Sequence, residues 1–352
     1  VRRKVGLILI GAGAFFLALA PLVRFYVARQ VVAAPLNLYQ KTTMRADNAT
    51  YLDAAKMRVR KGATVTATNT TRGDVRAADG KIAVWDSFTS IEDTTNNAKI
   101  ETQTQRAVFD RRTAELRSGR GAAVNGDSTV RQSGIGLFWP VGVRRKSYPY
   151  FDIATKRTWP MVYEGEEKVH GITTYRFVQQ VPPTVTDSIR PGVPASLLGL
   201  PAGRLAHVPG YDKKNKTVAV NRVYQATTTV WVDPRTGAPI DQEQKVHETL
   251  RTGDGADRLT VADMDLKMVP ESRRDLADLS GGQAYKVALV KIWLPYGGGA
   301  LGIVLLVVGL VLALAGRGEP VPSGAAGTGA AGKSAVGKSA DALWPSGEDS
   351  LS

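Results

Sequence analysis

Two long uncharged apolar runs, one near each end, hold a polar, strand-like middle between them. The first covers residues 5–23, about 19 positions, behind the cationic cluster Arg2, Arg3 and Lys4. The second covers residues 292–316, about 25 positions, and contains Ile303-Val304-Leu305-Leu306-Val307-Val308. A helix rises about 1.5 Å per residue and a hydrocarbon core is about 30 Å thick, so roughly 20 apolar residues cross it. A run this long, apolar on every face, is a poor core helix for a domain of this size. The runs divide the chain into residues 1–4, a first span over 5–27, a middle domain over 28–290, a second span over 291–316 and a tail over 317–352. A cleaved secretory signal shares the basic start and apolar middle of the first run. Its small-residue site, Ala18-Leu19-Ala20, runs straight into Pro21, which constrains the bond to be cut, so a retained anchor is expected.

Lys and Arg beside a span are held on the cytoplasmic side. Arg2, Arg3 and Lys4 therefore place the N-terminus inside, the middle domain outside and the tail back inside, as a two-pass protein of the cytoplasmic membrane. The net charge of +14 would ordinarily suggest nucleic acid, but this topology puts the basic domain on the wrong side of the membrane. Anionic headgroups or acidic wall polymers are the expected electrostatic partners, within a Debye length of about 8 to 10 Å. The chain has no cysteine, which excludes disulfides, cysteine zinc sites, iron–sulfur clusters and thiol catalysis. The tail is Gly, Ala, Ser and Lys in low-complexity order, too poor in apolar side chains to fold.

Across the middle, segments rich in Thr, Val, Tyr and Phe recur between Gly, Pro, Asn and Asp, the pattern of antiparallel strands. The clearest hairpin joins Thr227-Thr228-Thr229-Val230-Trp231-Val232 to a strand over 239–250 through Asp233-Pro234-Arg235-Thr236-Gly237. Proline presets φ for such a turn and glycine accepts positive φ. A second hairpin turns at His170-Gly171 and puts Tyr175 and Phe177 on one face, Arg176 on the other. Residues 182–216, with Pro182, Pro183, Pro191, Pro194 and Pro201 and the cluster Leu197-Leu198-Gly199-Leu200, read as a long loop, either a lid or membrane contact or an ordinary excursion. The fold expected is mainly β, an antiparallel curved or sandwich-like sheet flanked by two single transmembrane helices.

Catalytic and metal chemistry has little support. His170, His207 and His247 lie far apart without metal-ligand spacing. Glu164, Glu166 and Glu167 border a turn, and nothing in the sequence supplies the facing carboxylate that glycoside hydrolysis needs. No Gly-x-Ser-x-Gly elbow or phosphate-binding glycine loop is present, so neither catalytic residue, cofactor nor metal is expected.

Large apolar groups concentrate in residues 135–163, as Gly136-Leu137-Phe138-Trp139-Pro140, Tyr148-Pro149-Tyr150-Phe151-Asp152 and Trp159-Pro160-Met161-Val162-Tyr163. Arg144, Arg145 and Lys146 stand between them. Such a stretch is either a core crossing or an apolar groove with cations at its mouth, as an acyl chain with an anionic head would need. On the second reading Leu137, Phe138, Trp139, Tyr150, Phe151 and Trp159, with Arg144, Arg145 and Lys146, line a ligand site.

These motifs, with Asp110-Arg111-Arg112-Thr113 and the run from Tyr163-Glu164-Gly165 to Tyr175-Arg176-Phe177, resemble the actinobacterial envelope family catalogued as porin PorA, over nearly the whole chain up to Gly316. The resemblance implies an envelope protein that moves or senses trehalose mycolates beside large exporters, hence lipid binding by the middle domain, and it supplies no catalytic motif. A lipid or lipoglycan is the expected ligand, and a non-catalytic scaffold or partner of an envelope transporter is the alternative. The family's name suggests a pore, yet charged, Thr-rich strands lack the steady outward apolar band and aromatic girdles of a membrane barrel. The strand-turn-strand piece ending in Gly237-Ala238-Pro239 also looks like elements of periplasmic lipoprotein carriers, whose curved half-barrels hold acyl chains. Gly297, Gly298, Gly299 and Gly302 are expected to let the spans pack closely.

Overall fold

A computed structural model describes residues 2–28 and 32–315; the expectation for residues 317–352 lies outside them. Helix α1 (Arg2–Leu22) continues through a π-helical turn, Val23–Val27. Twelve strands follow: β1 (Tyr39–Asp53), β2 (Arg58–Gly73), β3 (Ile82–Asp93), β4 (Ala98–Asp110), β5 (Ala123–Val124), β6 (Tyr148–Asp152), β7 (Arg157–Val169), β8 (Ile172–Pro194), β9 (Tyr211–Asp212), β10 (Thr217–Val232), β11 (Pro239–Thr252) and β12 (Asp257–Met268). Helix α2 (Pro270–Ala288) passes through a second π turn, Leu289–Trp293, into helix α3 (Leu294–Ala315).

All twelve strands join one antiparallel sheet in the order β5-β4-β3-β2-β1-β12-β11-β10-β8-β7-β6, with β9 beside β10. Meander hairpins supply most neighbours, and β12 returns to pair with β1. The sheet curls into a half-barrel. Glu101 on β4 reaches Arg222 on β10, 3.6 Å away, although five strands intervene between their ladders. Phe151 on β6 packs with Trp85 and Phe109 on β3 and β4 from the opposite side of the sheet. The connection from β4 to β6 closes the remaining gap. Leu116 pairs with Phe109, its N–H donates to the Gly134 carbonyl, and Ile135 pairs with Tyr150.

Both membrane connections lie at one end of the strands, because β1 starts there and β12 ends there. That end is called proximal. The π turns sit against each other, and Arg24 at the first donates to the Lys291 carbonyl of the second at 2.5 Å. Beyond them α1 and α3 run antiparallel, both long and apolar enough to cross a membrane. Glycine sets their approach: a Cβ on Gly6 would lie 2.7 Å from the Gly309 oxygen, and one on Gly13 the same distance from the Gly302 oxygen. The contacts recur every seven residues on both helices, the repeat of a coiled-coil seam. Gly302 therefore packs as expected, together with Gly309, whereas Gly297 and Gly298 face open space.

Both sequence-read hairpins form. β10 and β11 pair in register from Val220↔Thr252 to Trp231↔Asp241, and the β7–β8 turn holds His170 and Gly171 at φ 47° and 77°. The long loop is corrected in part. Residues 182–194 continue β8 against β10, and β7 pairs only with the first part of β8, as far as Gln179. Proline is tolerated on an unpaired edge, where no ladder N–H is required, so the same residues that argued for a loop instead protect an edge. Residues 195–210 leave the ladder, chiefly as two 3₁₀ turns, before β9 rejoins it beside β10, and Leu198 is buried against Val193, Val218 and Leu250. The turns lie at the distal end of the strands, away from α1 and α3.

Candidate functional site

The concave face of the curled sheet is the candidate site. It takes alternate residues from each strand: Thr42 and Met44 from β1, Asn69 from β2, Thr89 and Ile91 from β3, Gln103 from β4, Gln242, Gln244 and Val246 from β11, and Trp159 from β7. All of these are half-buried, and Met44, Ile91, Val246 and Trp159 pack against buried clusters. Asn69 donates to Ser87 and Thr89 at 2.7 and 2.8 Å, and Gln244 makes one long bond of 3.4 Å to the Tyr224 hydroxyl. Met44, Ile91, Ile100 and Val246 pack against the buried cluster of Tyr51, Val65, Met264 and Leu266, which lies on the same face. The face thus interleaves aliphatic groups with amides and hydroxyls.

Its distal rim is ionic. Arg222 donates to both carboxylate oxygens of Glu248 at 2.6 and 2.7 Å, a bidentate pair, and reaches Glu101 across the opening. Asp152 lies close by at the end of β6, buried, with its Oδ1 accepting from the Thr155 N–H and hydroxyl. Burial raises its carboxyl above the usual carboxylate range despite those two bonds. Burial also pushes the Tyr150 phenol up to about 12, helped by the Asp152 charge.

Its proximal mouth is closed by aromatic rings. Trp139 is 2% exposed and stands 4.6 Å from Phe177, 5.5 Å from Tyr148 and 5.8 Å from Tyr150, centroid to centroid. Phe138 links this group to a second, meeting Trp85 at 5.6 Å and Phe109 at 5.8 Å. Leu137 and Phe151 belong to the second group, while Trp159 stands apart beside Val181, Tyr224 and Ala226. The six apolar residues picked from sequence are therefore distributed over three clusters. Trp139 and Phe151 are fully buried core, and Tyr150 and Trp159 are half-buried side chains packed against it. The three cations sit outside it. Arg145 pairs with Glu166 and covers the Tyr175 ring at 5.5 Å, Lys146 covers Tyr148 at 5.1 Å, and Arg144 is exposed.

Gly237 ties the aromatic closure to the membrane helices. It holds φ +78°, and a Cβ there would meet the Trp139 carbonyl oxygen at 2.4 Å. In the same turn the buried Asp233 accepts from Ser280 of α2 at 2.8 Å, and Ser280 also contacts the Thr236 hydroxyl at 2.7 Å. The acidic cluster on β7 is spent in surface pairs: Glu164 and Glu167 both meet Arg176 at 3.1 Å. Among the described residues no group of three or more His, Asp and Glu side chains is placed to hold a metal ion. The amide and hydroxyl rows were missed in sequence. Their only signal was the alternation of Thr, Asn and Gln within strands already recognised as such.

The family model described as Porin PorA matches residues 5–311, both membrane helices and the whole sheet included. The chain belongs to the porin PorA family. A protein of Corynebacterium resistens named Porin PorA is 25% identical over 245 residues, which cover 55% of this chain and 59% of that protein. A Porin PorA of Corynebacterium amycolatum is 23% identical over 147 residues, 37% of each chain. This PorA family member therefore matches about three-fifths or less of the length of each of these relatives. The envelope-membrane setting expected from the two spans agrees with the family.

Proposed function

We propose that this protein binds a lipid or lipoglycan on the concave face of its extracytoplasmic sheet during envelope assembly, and that it does so without catalysis. The observation that carries the reading is the lining: half-buried Met44, Ile91, Val246 and Trp159 share the inner face of the curled sheet with Asn69, Gln103, Gln242 and Gln244. An amphiphile needs apolar contact and hydrogen-bonding groups side by side, and binding sites combine a mostly apolar wall with a few placed polar groups. Arg2, Arg3 and Lys4 at the far end of α1 support an orientation with that end in the cytoplasm. Exposed Phe25, Tyr26, Trp293 and Tyr296 at the π turns would then form the interfacial aromatic belt facing the sheet.

A pore formed by the strands themselves is disfavoured by the convex face. Lys41, Arg45, Lys245, Asp263, Asp265 and Lys267 are exposed there, where a membrane barrel carries an apolar band. The reading is tested with the full chain in detergent by native mass spectrometry, followed by solvent extraction. One tightly held lipid or lipoglycan per chain is expected, and the paired changes Val246→Trp and Gln244→Ala should release it while the unfolding midpoint stays within a few degrees. An empty wild-type chain, or undiminished retention by the variant, would sink the proposal.

A further inference from the structure

The convex face of β2, β3 and β4 carries a second hollow that the concave site does not use. It has a volume of about 430 Å³ and is bounded by Thr70, Arg72, Asp86, Phe88, Thr104 and Arg106, with the Gly121–Gly126 turn as its wall. The strand register makes its floor a regular array. Phe88 stands directly between Thr70 and Thr104, and Asp86 directly between Arg72 and Arg106. The next row out is Thr68, Ser90 and Thr102. With strands about 4.8 Å apart and alternate residues about 6.8 Å apart, the rows form a platform of roughly 10 by 14 Å.

Each group in the array has a spare capacity of a definite kind. The Phe88 ring is 46% exposed, an open apolar face beside hydroxyls. Arg106 is fixed by Asp74 at 2.7 Å and by Asp86 at 2.7 Å, which cancels its charge and locks the carboxylate in place. Asp86 keeps half of its side chain exposed, with lone pairs left on oxygens that share a single Arg106 nitrogen. Arg72 is exposed and enters no ion pair among the described residues, so it offers donors only. The patch therefore combines an acceptor-only group, a donor-only group, flanking hydroxyls that do both and one flat aromatic surface.

We infer that this platform binds a neutral saccharide. A sugar ring has an apolar C–H face that stacks on an aromatic ring, and a rim of hydroxyls, each both donor and acceptor, that fits this mixture. Other ligand classes fit less well. Phe88 is the one large apolar side chain that borders the hollow, too little wall for an acyl chain, and the two arginines stand among two carboxylates, Asp74 and Asp86, which leaves no net charge to hold a phosphate. The groove lies on the opposite face of the sheet from the concave site, so it is independent of lipid binding, and it is available to glycans if the sheet is extracytoplasmic.

The test uses the full chain in detergent on an array of neutral oligosaccharides built from hexoses, pentoses and N-acetylated amino sugars. Binding to at least one class is expected, competed by the free sugar and little changed by 0.5 M salt. Phe88→Ala should weaken it about tenfold, and Asp86→Asn should weaken it with the fold intact, while lipid retention on the concave face is unchanged. Failure of wild type to bind any neutral glycan, full binding by Phe88→Ala, or binding abolished by salt alone would overturn the inference.

Discussion

At the scale of single residues, the most informative group is a carboxyl that is buried without a cation. Asp152 accepts two hydrogen bonds on one oxygen, 2.7 Å from the Thr155 N–H and 2.6 Å from its hydroxyl. Its folded-state pKa is raised by burial above the ordinary 3.8. Folding therefore favours the protonated form. The penalty is absent below the unfolded value, grows as pH rises through that value, and is complete once pH exceeds the raised folded value. Asparagine retains an acceptor for both bonds and removes the charge. Asp152→Asn is expected to raise Tm by about 2–4 °C at pH 8 and to leave it unchanged at pH 3.5, read by thermal unfolding of the full chain in detergent. Equal shifts at both pH values would mean that packing, not ionisation, sets the energy there.

Elements were legible in proportion to how local their signal is. The two spans announce themselves through length and apolarity, and the β10–β11 turn through Asp233-Pro234-Arg235-Thr236-Gly237, whose proline and glycine act within five residues. The extension of β8 was not, because Pro182 and Pro183 carry the same local signal whether they end a strand or occupy an unpaired edge. Which applies is decided by β7, which pairs with β8 only as far as Gln179. The aromatic stretch was legible as an organiser and not as three clusters, since the split depends on which strand each ring faces across the curl. Helix pairing is the most testable of these elements. A Cβ on Gly299 would lie 3.8 Å from the Ala20 Cβ, within the range of a disulfide. The chain has no cysteine of its own, so the double change Ala20→Cys and Gly299→Cys should crosslink under mild oxidation and show a mobility shift that reductant reverses. The pair Ala20→Cys with Gly297→Cys should not. Crosslinking of neither pair, or of both equally, would contradict the antiparallel register set by Gly6, Gly13, Gly302 and Gly309.

For the molecule as a whole, the consequence of the curl is an unequal ring. Most of its circumference is long antiparallel ladder, as in β8–β10–β11–β12–β1–β2–β3–β4. The connection 111–147 completes it with a two-residue strand, two isolated bridges to the flanking strands and side-chain bonds. Gln132 spans this seam, donating to the Arg106 carbonyl at 2.9 Å and accepting from Gln105 at 2.8 Å, while Ser133 meets Thr158 across it at 2.7 Å. Opening a long ladder breaks many bonds together, whereas opening the seam breaks few, so local opening free energies should differ widely around one sheet. A ligand entering the concave face then meets least resistance at the seam rather than at the proximal mouth, which Trp139 and Phe138 fill. Hydrogen exchange of the full chain in detergent is expected to show the amides of Val124, Asn125 and Asp127 exchanging about 100-fold faster than those paired between β1 and β2. Bound amphiphile should slow them more than it slows the ladders. Uniform protection around the ring would mean that the seam is as stable as the sheet, and entry would have to be sought at the distal rim, where the Glu101–Arg222 contact spans the opening.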